Sequence, residues 1–302
     1  MSEVLELADT GAVNVAKPAP SFLFRLGGVL VALSLVLMVM GPWITPYDPN
    51  RPTFEISEPP PALTEIPGLL WKVITGAPHD PIHWFGTDSS GLDVFSRVVA
   101  APRTDVAIAV GANVVSLILG SLLGLLAGFA RPWVAGTVMR ISDLIQAFPV
   151  FITGMILVTL AGRSNMTIVL TLAFLYTPIY VRLTRAEVLS QRNRGFVDAA
   201  RVLGKPEGFI ALRHVLPNAL APSLIQASVT IGFAILMTAG LSFVGAGVRP
   251  PTPEWGLMIA EGQTFIATAW WMTGFPGLAI MLLATGFSLL ADGFAEKLGL
   301  RD

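Results

Sequence analysis

The residue types that carry out nucleophilic, acid–base and metal chemistry are scarce in this chain. No cysteine occurs among the 302 residues, which excludes a disulfide framework, a thiolate metal site and a cysteine nucleophile. The histidines are His79, His83 and His214, and none of them lies within a long apolar stretch. A hydrolase embedded in a membrane needs a nucleophile and a base that face each other. This class is therefore the least favoured one.

A loose group of potential metal ligands follows a proline-rich segment, residues 53–67 (TFEISEPPPALTEIP). It consists of His79, Asp80, His83 and Asp88, and imidazole and carboxylate groups bind divalent cations. The neighbouring sequence contains no pattern of residues that would orient such ligands. Contact with another protein, or packing over the mouth of a pore, is therefore favoured over metal binding, and we assign no metal ligand.

A nucleotide-binding loop is not expected either. Residues 199–206 (AARVLGKP) come nearest to the phosphate-binding pattern, but they lack its first glycine and its final serine or threonine. Lys205 is therefore interpreted as an ordinary loop charge. No catalytic residue and no bound cofactor are assigned to the chain.

Composition and hydropathy indicate a membrane protein. Hydrophobic residues make up 53% of the sequence and charged residues only 13%, about half the roughly 25% of an average soluble domain. The net charge is −1, so no basic excess favours nucleic-acid binding. Six stretches reach or approach the roughly 20 apolar residues that cross a hydrocarbon core. They are residues 26–45, 106–130, 144–160, 166–181, 220–248 and 272–290.

The sequence therefore predicts an all-α, polytopic membrane protein with six transmembrane helices. Residues 1–22 are expected to form an N-terminal tail. Lys and Arg number thirteen on the side of the N-terminus and six on the other side, and cytoplasmic loops carry the excess of basic residues. Both termini are therefore expected in the cytoplasm, with a long outer loop at 46–103 and a long inner loop at 182–218.

No predicted span has an ionisable residue in its central part. An ion-coupled carrier usually needs such groups near the middle of the membrane, so a self-sufficient secondary carrier is disfavoured. The second span instead contains Gly120, Gly124 and Gly128 at a spacing of four, which forms a small-residue stripe along one helix face. Close helix packing, within the chain or with a partner, is the favoured role. A groove that lines the solute path is the alternative.

Aromatic and charged residues lie near the outer ends of the last two spans. Trp255, Trp270 and Trp271 are among them, and indole rings favour the membrane interface. These side chains are predicted to anchor the chain there, with contact to a solute as the alternative. Arg249 and Glu254 are predicted to be exposed charges of the same loop.

The inner loop contains the pattern of a small helix–turn–helix. Hydrophobic spacing predicts a first helix at about 196–203, with Asp198 and Arg201 on one face. Gly204 then ends this helix. The apolar face of the same helix consists of Ala199, Val202 and Leu203. Small side chains there would let the backbone of another protein approach, whereas a solvated basic loop is the plainer alternative.

A second short helix is expected after the glycine. Pro206 and Glu207 suit its first turn, where a missing N–H costs nothing and a carboxylate meets the positive end of the helix dipole. This helix is predicted to close before Pro217.

This loop resembles the EAA loop in the permease subunits of bacterial ATP-binding cassette importers, whose pattern is E-A-A-x3-G-x9-I-x-L-P. The residues at the matching positions are Asp198, Ala199, Ala200, Gly204, Leu216 and Pro217. The chain departs from the pattern twice. Asp198 replaces the glutamate, and His214 stands where the isoleucine would be.

Two further stretches resemble the second permease subunit of dipeptide, oligopeptide and nickel importers. Residues 83–97 are similar to its F-G-T-D-x-x-G-R-D-V-x-S-R segment, although Leu92 replaces the first arginine. Residues 241–256 and 275–280 are similar to its fifth span, the following outer loop and its sixth span. The resemblance covers about residues 23–300.

The resemblance implies a non-catalytic subunit of the bacterial inner membrane with the type I importer permease fold, here residues 23–302. In the lipid bilayer, this subunit would form half of a pore, and a second, homologous permease subunit would form the other half. Two cytoplasmic ATPase subunits would hold ATP and Mg²⁺, and an extracytoplasmic binding protein would deliver the solute. The EAA residues would couple the chain to the ATPases. Di- or oligopeptides are the expected solutes, with nickel chelates, glutathione, opines and sugars as alternatives.

Overall fold

The computed structural model describes residues 22–53, 55–78 and 80–297 of the chain. The expected N-terminal tail lies outside these residues apart from Phe22, and so does His79. Within the described ranges the secondary structure is helical, and the one pairing of extended backbone is an isolated bridge between Thr87 and Asp93. The prediction of an all-α fold is therefore confirmed.

The helices differ widely in length. In chain order the α-helices are α1 (Phe22–Ile44), α2 (Ile66–Thr75), α3 (Val94–Ala100), α4 (Pro102–Phe129), α5 (Pro132–Ile145), α6 (Val150–Ala161), α7 (Asn165–Gln191), α8 (Gly195–Val202), α9 (Glu207–Ile210), α10 (Leu216–Ala219), α11 (Ala221–Phe243), α12 (Trp255–Gly262) and α13 (Trp271–Lys297). A π-helical turn at Ala211–Val215 joins α9 to α10. A 3₁₀ turn at Gln263–Phe265 follows α12.

Five helical segments in the described part of the chain are long and apolar enough to cross a membrane: α1, α3 with α4, α7, α11 and α13. A sixth span exists if α5 and α6 count together as one bent segment, because they meet at 86° across a short break. The sequence predicted a third span at 144–160. The twelve residues of α6 rise only about 18 Å, which is short of a hydrocarbon core about 30 Å thick. Pro149 is the last residue of the break and disfavours helical geometry in the residue before it.

The other spans keep their predicted places, but their ends differ: α11 ends at Phe243, before the predicted 248, and the other helices begin earlier or end later than predicted. α7 continues to Gln191, so the first ten residues of the inner loop predicted at 182–218 are helical. α4 begins at Pro102 and α13 ends at Lys297, which adds charged residues to both helices. Hydropathy marks only the apolar part of a helix, and long side chains such as arginine keep their charge in water while the backbone stays helical.

The glycine stripe of α4 faces α7. A Cβ atom at Gly124 would lie 2.8 Å from Thr184 Cβ and 2.8 Å from the carbonyl oxygen of Val181, and Gly120 and Gly128 stand equally close to α7. The contact is within the chain. Buried hydroxyl groups tie the same region together, because Thr184 Oγ1 lies 3.3 Å from Ser121 Oγ on α4 and 3.1 Å from Ser223 Oγ on α11. Small residues and such hydrogen bonds are what hold helices together in lipid.

Candidate functional site

The inner loop folds into a helix–turn–helix. Its first helix and the turn after it agree with the prediction from sequence. α8 ends in a turn where Gly204 has φ +72°, a left-handed conformation that glycine adopts without steric cost. The Gly204 N–H donates to the carbonyl of Arg201 at 2.9 Å, and the Lys205 N–H donates to that of Ala200 at 3.2 Å. These bonds satisfy the last carbonyls of α8 in the manner of a glycine C-cap.

Arg201 joins the two sides of this turn. Its Nη1 donates to Asp198 Oδ1 at 3.0 Å, and its Nε donates to Glu207 Oε1 at 2.7 Å. The predicted placement of Asp198 beside Arg201 is confirmed by this contact. The hydrogen bond from Arg201, together with its charge, lowers the pKa of Glu207. All three side chains are exposed, so water screens these pairs and their main effect is to orient α9 relative to α8.

One face of the loop is buried against two spans. Val197 and Ala200 of α8 belong to an apolar cluster with Leu125 of α4 and Val188 of α7. The other members of this cluster are Ile210, Ala211, Val215 and Ala219, with Phe129 and Leu216 packed against it. The loop is therefore attached to the inner ends of α4 and α7.

The opposite face of the loop is open. Val202 is 88% exposed and Leu203 is 76% exposed, and Ala199 is exposed beside them. Apolar side chains that stand out together on a surface indicate an interaction site. Among the residues matched to the EAA pattern, Asp198 and Pro217 are also exposed, whereas Ala200 is buried.

The second α-helix, α9, ends at Ile210, before Pro217 as predicted, but the helical backbone continues beyond it. α9 passes into the π-helical turn, and α10 follows with Pro217 in its first turn. Proline is tolerated there because the first N–H groups of a helix have no partner within it. His214, which replaces the isoleucine of the pattern, lies in the π-helical turn with its ring edge-on to Phe209 at 5.6 Å between centroids.

The outer face is organised around the segment that begins at His83. Asp93 is the N-cap of α3, and its Oδ2 accepts from the Ser96 N–H at 2.7 Å. Its Oδ1 lies 2.7 Å from His83 Nδ1. Asp88 closes a separate turn by accepting from the N–H groups of Ser90 and Leu92 at 2.8 and 2.9 Å. Among the described members of the expected ligand group, Asp88 is therefore held in this turn and is not grouped with His83.

The carboxylates that approach His83 Nε2 come from the proline-rich segment instead. Glu55 Oε2 lies 4.0 Å away and Glu58 Oε2 lies 3.9 Å away. Burial, with the neighbouring Glu55, raises the pKa of Glu58 to about 7. Sequence analysis missed Glu55 and Glu58 because their distance along the chain from His83 gives no spacing pattern.

Buried polar contacts connect this segment to the loop before α12. Arg97 is fully buried and donates to Glu261 Oε2 at 3.3 Å and to the Pro251 carbonyl at 3.4 Å. Trp255 Nε1 donates to the Val98 carbonyl at 3.1 Å. The two stretches that carry the family resemblance therefore pack against each other.

The predicted interfacial position is wrong for two of the three tryptophans. Trp255 and Trp271 are buried, and Trp271 Nε1 donates to the carbonyl of Thr87 at 3.0 Å. The outer loop covers both rings and offers backbone acceptors, which a buried indole N–H needs. Trp270 is 55% exposed.

Glu254 was predicted to be an exposed charge, and this is also wrong. Its side chain is fully buried and forms the N-cap of α12, where it accepts from the N–H groups of Gly256 at 2.9 Å and Leu257 at 2.6 Å. Burial raises the pKa of Glu254. Asp105 of α4 lies next to it and accepts from the Trp255 N–H at 3.2 Å. Glutamate is outside the usual N-cap set, so the local sequence pattern does not predict this cap.

Comparison with known proteins gives consistent results. Residues 120–301 match the family model described as "Binding-protein-dependent transport system inner membrane component". The chain is 36% identical over 274 residues to the di/tripeptide transport system permease protein DppC of Pseudomonas aeruginosa, covering 90% of this chain and 86% of that protein. It is 38% identical over 273 residues to the dipeptide transport system permease protein DppC of Escherichia coli, covering 90% and 87%. It is also 35% identical over 271 residues to the glutathione transport system permease protein GsiD of Pectobacterium atrosepticum, covering 90% and 84%.

The fold is similar to that of a solved transporter. A chain of the MetNI methionine ABC transporter in an inward-facing conformation matches with a TM-score of 0.54 and 16% identity, covering 68% of this chain and 97% of that one. The importer permease fold is therefore confirmed. With the family match and the apolar helices, it follows that this chain belongs to the family of inner membrane components of binding-protein-dependent transport systems, as a multi-pass permease subunit of the ATP-binding cassette importer type.

Proposed function

We propose that this chain forms half of the translocation pore of an ATP-driven peptide importer, and that its inner loop couples the pore to ATPase subunits. The observation that carries the proposal is the two-sided construction of the loop. Val197 and Ala200 are packed on α4 and α7, while Val202 and Leu203 stand out on the open face.

This construction suits the transmission of force. A partner that binds the open face and then moves must carry the loop with it, because the buried face is joined to two spans. Arg192 strengthens the connection by donating to the Gly128 carbonyl at the inner end of α4, at 2.7 Å. The partners we propose are two cytoplasmic ATPase subunits that hold ATP and Mg²⁺. ATP binding and release would then shift the pore between two conformations, as a ligand does in any bistable assembly.

The other partners and the orientation follow from the same assignment. A second, homologous permease subunit would complete the pore, and an extracytoplasmic binding protein would deliver the solute to the outer face. Both termini would lie in the cytoplasm. The inner loop supports this orientation because it carries Arg192, Arg194, Arg201, Lys205 and Arg213, and basic residues are retained on the cytoplasmic side.

Di- or oligopeptides are the solutes we propose. The support is that relatives covering about nine-tenths of this chain are named as di/tripeptide and dipeptide permeases. Glutathione is a second candidate, since another relative of similar identity is named for it. Nickel chelates, opines and sugars remain as alternatives from the wider resemblance, and a solute screen with the purified binding protein would separate them.

The coupling role is tested in the assembled transporter in proteoliposomes. Asp198→Arg reverses an exposed charge on the loop, and we expect it to lower solute uptake per ATP hydrolysed at least severalfold while the chain still inserts and assembles. Glu65→Arg makes the same change on the outer loop and is expected to leave the ratio unchanged. Normal uptake per ATP in Asp198→Arg would remove the support for the lever role.

A further inference from the structure

His83 stands out among the described residues as a buried imidazole whose two nitrogens have different surroundings. The ring is about 2% exposed. Its Nδ1 lies at hydrogen-bond distance from Asp93, whereas Nε2 points toward Glu55 and Glu58 at 4.0 and 3.9 Å. These last distances are too long for hydrogen bonds. Nε2 therefore lacks a hydrogen-bond partner within the described part of the chain.

The Asp93 contact determines which nitrogen carries the lone pair in the neutral ring. Both Asp93 oxygens act as acceptors, one toward the Ser96 N–H and one toward His83, so Nδ1 is the protonated nitrogen. Nε2 then presents a lone pair to the space between Glu55 and Glu58. Tyr47 stacks on the ring with centroids 4.6 Å apart and fixes its plane.

Three electron-pair donors thus face one small space. One ligand atom each from Glu55, Glu58 and His83 lies within 4.8 Å of the others. In addition, Glu58 Oε2 is buried and has no hydrogen-bond partner in the described residues. A buried acceptor without a partner is costly, and two carboxylates beside a lone pair repel one another unless a cation lies between them.

We propose that His83 Nε2, Glu55 and Glu58 bind one divalent transition-metal cation on the outer face of the subunit. Zinc, for example, takes one imidazole nitrogen at about 2.0–2.1 Å and carboxylate oxygens at about 2.0–2.2 Å in tetrahedral geometry, so its ligand atoms are about 3.4 Å from one another. The two carboxylate oxygens, now 4.0 and 3.9 Å from His83 Nε2, must therefore move closer to it by about 0.5 Å. The Glu55 and Glu58 side chains are 53% and 39% exposed, which leaves them free to do so.

Asp93 is a positioning residue in this site. A histidine that binds metal through one nitrogen usually donates its other N–H to a carboxylate, which orients the ring and raises its basicity. Asp93 and His83 have this arrangement. A cavity of about 790 Å³ that is lined in part by Glu58 and His83 gives an ion access from solvent.

The bound ion would fasten the proline-rich segment to the outer scaffold. Backbone contacts already hold the two together: the Glu58 N–H donates to Thr87 Oγ1 at 2.8 Å, and the Ser57 N–H donates to the Asp88 carbonyl at 3.0 Å. A metal would add a cross-link between a segment near α1 and one near α3. This role does not depend on which solute the importer carries.

The test is Zn²⁺ binding by the full-length chain, purified with any affinity tag removed and treated with a chelator beforehand. Calorimetric titration is expected to show one high-affinity site, and thermal unfolding is expected to shift upward with Zn²⁺ because the ion binds only the folded form. The double variant Glu55→Gln/Glu58→Gln should lose the site and the shift. Glu65→Gln, which alters a carboxylate of the same loop outside the cluster, should retain both.

Asp93→Asn provides a second variant that keeps a good N-cap for α3. Loss of a supporting carboxylate typically weakens metal binding about 10- to 100-fold, and we expect a change of that size in the Zn²⁺ dissociation constant. The proposal is wrong if the wild-type chain binds no more Zn²⁺ than the double variant.

Discussion

Arg97 Nη2 lies 3.3 Å from Glu261 Oε2, and this ion pair joins α3 to α12 across 164 positions of the chain. The guanidinium is fully buried and the carboxylate is about one-third exposed. The carbonyl of Pro251 accepts from the same guanidinium. Arg97 therefore ties together the two outer segments whose sequences carry the family resemblance.

Arg97→Met is expected to destabilise the folded chain. Burial raises the pKa of Glu261 and the Arg97 charge opposes this rise, so the variant leaves a half-buried carboxylate and the Pro251 carbonyl without their partner. Removing one member of a buried ion pair costs about 3 to 5 kcal/mol, and the partial exposure of Glu261 places the expected loss at the lower end. Thermal unfolding in detergent measures it. Arg51→Met, in an exposed pair with Asp48, should change stability by less than about 1 kcal/mol; an equal effect of the two changes would contradict the structural role of Arg97.

Gly124→Ala tests the contact between α4 and α7. The added Cβ would meet Thr184 Cβ at 2.8 Å and the carbonyl of Val181, and overpacking of this kind costs about 1–3 kcal/mol. Gly136→Ala is the matched control, because Gly136 lies in α5 with no atom within 4 Å of the added group. Alanine there should be neutral or stabilising by about 0.5–1 kcal/mol through its better helix propensity. Unfolding temperatures that move in the same direction for both variants would argue against close packing at Gly124.

Glu254→Ala tests a buried N-cap. The variant leaves the N–H groups of Gly256 and Leu257 without their acceptor, and loss of a cap costs about 0.5–2 kcal/mol. Glu65 precedes α2 in the same position but makes no capping bond from its side chain, so Glu65→Ala should have little effect. The free energies of unfolding of the two variants are the measurement. Equal values would show that the Glu254 bonds do not contribute to stability.

Gly204→Ala separates backbone geometry from contact in the inner loop. Nothing lies within 4 Å of a Cβ at Gly204, but its φ of +72° is unfavourable for other residues, by roughly 1–2 kcal/mol. We expect faster amide hydrogen exchange in α8 and α9 and a lower uptake per ATP. Gly208→Ala, also without a neighbour within 4 Å and without a positive φ, should leave both readouts unchanged. A transporter with Gly204→Ala that equals the wild type in both would show that the turn tolerates this change.

Local features of the fold were predictable from sequence and distant contacts were not. The turn at Gly204 and the contact of Asp198 with Arg201 depend on residues three to six positions apart, so propensity and spacing reveal them. Glu254 was misjudged because its burial depends on Asp105 and on the outer loop, which are remote in sequence. Charge alone favours exposure, and nothing in the local pattern opposes that expectation.

The bent pair α5 and α6 illustrates a second limit. A hydropathy window over residues 144–160 averages across the break at 146–149, so one apolar stretch was interpreted as one span. The two helices have lengths of 14 and 12 residues and meet at 86°, an angle that hydropathy does not encode. The group of Glu55, Glu58 and His83 was not predicted for a related reason. Glu55 comes close to His83 only when the proline-rich segment folds back.

ATP-dependent uptake into proteoliposomes tests the central claim most directly. Vesicles would contain this chain with its second permease and ATPase subunits, with the binding protein outside and ATP inside, and labelled di- and oligopeptides as solutes. The account predicts uptake that requires ATP and every subunit, and that is lost when this chain is omitted. Uptake by this chain alone, driven by an ion gradient without ATP, would contradict it and would assign the protein to the secondary carriers.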